Sequence, residues 1–150
     1  MIFFSIGDPI ELMESGQFNT DVEVIMGSNS DEGILSVMDV LRTGQWDEFR
    51  SNFDVFGPRN LFNIANDSEI TNDVIKTTNK LIEYYVGSKE NIDENHQQGL
   101  FDMFTDSVFV YGTYKTINYM VQRGMLVYQY IFTYQVMSNC TFPILKKVDD

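Results

Sequence analysis

The block Gly27-Ser28-Asn29-Ser30-Asp31-Glu32-Gly33 sets two adjacent carboxylates behind a β-branched run, Val22-Glu23-Val24-Ile25-Met26. The run reads as a strand over 22–27, and the block as a loop opening into a helix. In open α/β sheets functional groups collect beyond the carboxyl ends of strands, which is where a catalytic acid would sit. The same residues also have a plain structural reading. Ser30 or Asp31 would cap the helix, and Glu32 would lie in its first turn, where the helix dipole favours an anion. Spacing alone leaves both readings open.

The other residues able to do chemistry are few. His96 is the single histidine, so any histidine chemistry within this chain must use it. It stands in the polar stretch Asn95-His96-Gln97-Gln98 and reads as a solvated loop residue. The single cysteine, Cys140, excludes an internal disulfide framework and a cysteine-rich metal site. Asp102 and Asp106, at and one turn into a long helical stretch, read as capping and dipole residues. Asn66-Asp67-Ser68 and Asn139-Cys140-Thr141 match the acceptor pattern for N-glycosylation, a short motif that also arises by chance. The eight methionines read as core filling.

The elements that must position these groups can be read from periodicity. After the first strand, Ile34, Leu35, Val37, Met38, Val40 and Leu41 fall at helical spacing, with Gly44 as a stop. Trp46 to Phe53 is a short amphipathic stretch, and Gly57-Pro58 marks a turn. Ser68-Glu69 opens a longer helix whose apolar positions continue to Gly87. Residues 88–98 read as a loop, and a second long helix runs from Leu100 to Arg123, ended by Gly124. Met125 to Tyr134 is dense in β-branched and aromatic residues and is the clearest strand. Two apolar strands separated by a long, mostly helical connection imply parallel neighbours in an α/β sheet. Two strands alone make no stable sheet, so the pattern calls for further strands.

Composition narrows the function classes. The chain of 150 residues has the size of one domain or part of one, with no repeat and no linker-like segment. Ten basic against 22 acidic residues give a net charge of −12, which argues against a phosphate-backbone partner and against anionic membrane. Residues 1–54 hold 11 acids and two bases, which reads as a solvated acidic face. No apolar run reaches the length of a membrane span, and Met1 to Ile6 is too short for a signal core.

The order of these pieces resembles a known family. Asp8-Pro9-Ile10-Glu11-Leu12-Met13-Glu14-Ser15-Gly16-Gln17-Phe18-Asn19, the strand Val22 to Met26, and Ser30-Asp31-Glu32-Gly33 resemble the type-B carboxylesterases. These are the cholinesterase-like α/β hydrolases. Leu100-Phe101-Asp102-Met103-Phe104-Thr105-Asp106 and Tyr128-Gln129-Tyr130-Ile131-Phe132-Thr133-Tyr134 are similar to later segments of the same family. The aromatic strand and the end Lys146-Lys147-Val148-Asp149-Asp150 suit its juvenile-hormone-esterase-like branch. The resemblance covers essentially residues 1–150 as part of a single hydrolase domain, a partial α/β-hydrolase fold with two parallel strands of the central sheet.

What the resemblance implies is a Ser-Glu-His serine esterase in which Glu32 is the triad acid. Such an acid accepts a hydrogen bond from the catalytic histidine, fixes its tautomer and stabilises the imidazolium. The substrate would be a small-molecule ester, without cofactor or metal, and the parent enzyme would be secreted. The family's chain order is Ser…Glu…His, yet no G-x-S-x-G elbow occurs here, and the histidine block is expected after Asp150. His96 precedes the second strand and cannot take that role. The expectation is therefore an acid-bearing fragment, inactive by itself. A non-catalytic adhesion relative and an unrelated small acidic α/β binding protein are the alternatives.

Overall fold

A parallel pair of strands brackets most of the chain. The computed structural model describes residues 7–133, and within them β1 (Val24–Asn29) and β2 (Val127–Phe132) are hydrogen-bonded neighbours. Their register is parallel, with Val24 opposite Val127 and Asn29 opposite Phe132. Ser30 N–H donates to the Phe132 carbonyl at 3.1 Å, so the ladder reaches the edge of the acid loop. The parallel pairing inferred from the sequence is present, but β1 runs two residues further than the stretch 22–27. Ser28 and Asn29 belong to the strand, because backbone pairing with Ile131 and Phe132 is indifferent to their polar side chains. Gly27 is needed inside β1, since a Cβ there would lie 2.7 Å from the Tyr130 ring.

The connection between the strands is mostly helical. It contains α2 (Ile34–Thr43), α3 (Trp46–Ser51), α4 (Phe53–Leu61), α5 (Asn72–Tyr85), α6 (Gln97–Phe104) and α7 (Tyr111–Val121), with α1 (Pro9–Ser15) preceding β1. Asp8 caps α1 through Oδ1, and Gly44 closes α2 with φ of 70°. Three expectations need correction. Gly57-Pro58 is no turn but lies inside α4, where Gly57 lets Thr78 of α5 approach; a Cβ would sit 3.1 Å from Thr78 Cγ2. Ser68-Glu69 belongs to a separate 3-10 turn, and α5 starts where Thr71 Oγ1 accepts from Val74 N–H. The last long helix begins at Gln97 rather than Leu100, and a π-helical stretch, Thr105–Val110, interrupts it. That wider turn breaks the 3.6-residue periodicity. Leu100, Met103 and Phe104, ahead of the wide turn, are buried, whereas Val108 within it and Tyr111 just after it are exposed.

The core lies among the helices. Val37 and Val40 of α2, Phe53 and Leu61 of α4, Ile82 of α5, and Leu100, Met103 and Phe104 of α6 form one cluster. Phe53 has no exposed surface and packs edge-on to Phe49 at 5.5 Å between ring centres, with Phe104 at 6.3 Å. The strands contribute little to this cluster. Ile25 is 74% exposed, and Tyr128, Tyr130, Ile131 and Phe132 each exceed 50%.

The loop before α6 is closed by a local hydrogen-bond cluster. His96 Nδ1 lies 2.8 Å from Asp93 Oδ1, which also accepts from the Asn95 and His96 amides. The His96 hydrogen bond, assisted by those amides, holds the Asp93 carboxyl below its ordinary range.

Phe53→Ala should lower the free energy of unfolding by about 3–5 kcal/mol, while Val55→Ala on the exposed face should cost under about 0.5 kcal/mol. Denaturant titration of the two variants checks this contrast. A lowered folded-state pKa at Asp93 gives stability that is present above the ordinary carboxylate value, about 3.9, and lost as pH falls through the lowered one. Asp93→Asn should therefore cost stability at pH 7 and progressively less on acidification. Unfolding midpoints at pH 7 and about pH 3 test the sign.

Candidate active-site loop

Residues Ser30 to Gly33 form the turn between β1 and α2, immediately past the carboxyl ends of both strands. The capping reading of this turn does not hold. Gly33 is the residue preceding α2, no side chain caps that helix, and its first turn contains no acid. Asp31 and Glu32 are half-buried and make other bonds. Glu32 Oε1 accepts from the Asn29 amide at 3.1 Å and from Asn29 Nδ2 at 2.8 Å. Among the described residues Glu32 Oε2 has no hydrogen-bond partner. Asp31 accepts from Ser30 Oγ at 2.9 Å and from Gln98 Nε2 at 3.0 Å.

The loop is seated on the α6 side of the molecule. Gly33 N–H donates to Thr105 Oγ1 at 2.8 Å in a buried contact across 72 residues of sequence. A Cβ on Gly33 would lie 2.1 Å from the Phe101 carbonyl oxygen and 2.6 Å from the Thr105 nitrogen. Only glycine permits that approach of backbone to backbone. Gln98 Nε2 bonds Asp102 Oδ1 at 2.9 Å as well as Asp31, so one amide joins the acid loop to α6.

Asp102 and Asp106 are not caps. Asp102 takes the Gln98 bond within α6, and Asp106 lies in the π-helical stretch, accepting the Tyr85 hydroxyl at 2.7 Å. Burial, reinforced by the bond to Asp106, pushes the Tyr85 hydroxyl well above its ordinary pKa, so Tyr85 is a neutral donor at physiological pH. Reading the sequence found Asp31 and Glu32 and missed Gln98 and Thr105. The spacing of Gln98 to Asp102 is an i, i+4 pair that could have been flagged; nothing local marks Thr105.

The remaining candidates lie apart from the loop. His96, in its turn before α6, is engaged by Asp93 and not by Asp31 or Glu32. Asn66 is exposed, and its Oδ1 accepts from Ser68 N–H at 3.1 Å. Cys140 and Asn139 lie outside the described residues. A surface cleft of about 240 Å³ between α2 and α3–α4 is lined by Val37, Val40, Phe49 and Phe56, and by neither loop acid. Among the described residues no group of three histidine, cysteine or acidic side chains could hold a metal, and no helix is long and apolar enough to cross a membrane.

A juvenile hormone esterase from Tribolium castaneum is 28% identical over 137 residues, which is 88% of this chain and 23% of that protein. The chain thus spans about a quarter of the length of the curated relative it matches. No solved structure matches it. The carboxylesterase family model matches residues 3–149, taking in both strands, the acid loop and all of the helical connection. On that match the chain belongs to the carboxylesterase family.

Proposed function

We propose that this chain is the acid-bearing portion of a serine carboxylesterase, that Glu32 is the acid of its Ser-Glu-His triad, and that the rest of an α/β-hydrolase domain supplies the serine and the histidine. The observation that carries the reading is the state of Glu32. It sits on the loop leaving β1 at the carboxyl edge of parallel strands, with Oε1 held by Asn29 and Oε2 left to accept a further hydrogen bond. A triad acid needs that combination, since it must itself be oriented before it can orient an imidazole.

The exposed strands support the reading. Tyr128, Tyr130 and Phe132 alternate with Gln129 and Ile131 along β2, and all three aromatic rings are more than 50% exposed. Apolar groups on both faces of a two-stranded sheet suit a sheet that further strands and helices extend and cover. The chain's share of its relative's length agrees with that. The parent would act on a carboxylic ester of a small molecule, without cofactor, and the esters cleaved by the juvenile hormone esterase it resembles are the first to test. Export of the parent, with glycan at Asn66 or Asn139, belongs to the same proposal.

The chain alone should hydrolyse a chromogenic short-chain ester no faster than buffer does, because an acid without nucleophile and base supplies no turnover. Measured turnover that Glu32→Ala abolishes would overturn this. In the full-length parent, Glu32→Gln should lower kcat by at least about a hundredfold with little change in KM. Asp31→Asn, which removes loop contacts to Ser30 and Gln98 rather than the acid, should cost far less. Equal effects of the two substitutions would refute the assignment of Glu32.

A further inference from the structure

We infer that Thr105 is a positioning residue for Glu32, acting through the Gly33 amide; the inference rests on the triad reading above. The Glu32–Gly33 peptide is planar, so fixing the two ends of that plane fixes the backbone at Glu32. Both ends are held. The Glu32 carbonyl accepts from Leu35 N–H at 3.1 Å, and the Gly33 N–H donates to Thr105 Oγ1 at 2.8 Å. The first bond belongs to the turn into α2 and moves with it. The second is the anchor to another part of the fold. Thr105 is 4% exposed, so water does not readily replace its hydroxyl.

The anchor has the tolerance a catalytic side chain requires. Gly33 is already in backbone contact with Phe101 and Thr105, so the loop has no room to move inward. Loss of the Thr105 acceptor would leave a buried amide unpaired, which the loop relieves by moving outward toward water. An acid within the triad works only when held to about 0.5 Å, and misplacement of about 1 Å can cost as much as a hundredfold. Thr105 stands at the first position of the π-helical stretch, where the chain departs from α-helical geometry after Phe104. The wider turn is thus located at the residue that reaches the acid loop.

The test is a double-mutant cycle in the full-length parent enzyme. Thr105→Val keeps the shape and removes the acceptor, and it should lower kcat about tenfold with KM nearly unchanged. Thr105→Ser keeps the hydroxyl and should retain kcat within about twofold. On a Glu32→Gln background Thr105→Val should cost nothing further, because a residue acting through Glu32 has no effect once the acid is gone. An equal loss on both backgrounds, or no rescue by serine, would overturn the inference while leaving the role of Glu32 intact. If Glu32→Gln itself left kcat unchanged, the triad reading would fall and this inference with it. Should Thr105→Val not fold, Thr105→Ala takes its place in the cycle, and hydrogen exchange at the Gly33 amide in the 150-residue chain gives a second measure. Exchange should quicken in Thr105→Ala and stay slow in Thr105→Ser; unchanged exchange in Thr105→Ala would also overturn the inference.

Discussion

The parallel pairing of β1 with β2 is the constraint from which the other features follow. Parallel strands cannot be joined by a tight turn, because the chain must return to the same end of the sheet before the second strand begins. Here the return runs from Asn29 to Val127 and is made of helices. The pairing also sets the carboxyl ends of both strands side by side, with the ladder running from Val24 to Ser30. Whatever leaves β1 is therefore delivered to one edge of the sheet. What leaves it is the pair Asp31 and Glu32.

The helical connection does two jobs at once. Its interior faces bury the phenylalanine cluster around Phe53 and Phe104, which provides a packed core without help from the strands. The stretch from Gln98 through Asp106 supplies the polar groups that hold the acid loop and α5. Gln98 reaches Asp31, Thr105 reaches the Gly33 amide, and Asp106 receives the Tyr85 hydroxyl. Core and loop share the same short stretch of chain, since Phe104 and Thr105 are adjacent and both buried. Packing at one residue and orientation at the next are mechanically coupled.

The uneven distribution of burial supports the proposal that the chain is a portion of a larger hydrolase domain. A self-sufficient α/β domain hides its strands between layers, whereas here the buried side chains are mostly helical and the strand side chains are half-buried or exposed. The family match over residues 3–149 gives that asymmetry a simple account, since the relative it resembles is about four times as long. Under that proposal the sheet reaches its full burial when the neighbouring strands and helices of the parent are added.

Much of this was legible in the residues themselves. The apolar composition of Val22 to Met26 and Met125 to Tyr134 marks both strands, and the long helical stretch between them implies parallel order. The order of segments around Ser30-Asp31-Glu32-Gly33 carried the family resemblance. Element boundaries were less legible, because they depend on partners distant in sequence. β1 continues through Ser28 and Asn29 because β2 is there to pair with them, and Gly57-Pro58 stays helical because α5 packs against that face. Neither partner is visible from local propensity. The shift of the buried stripe after Phe104 arises from one wide turn that periodicity, which assumes a uniform 3.6 residues, cannot register. The sequence by itself determined which residues could act as the acid and that the strands run parallel. Only the tertiary structure decided how that acid is held, since the bond from Gly33 to Thr105 joins groups 72 residues apart and each is ordinary in its own surroundings.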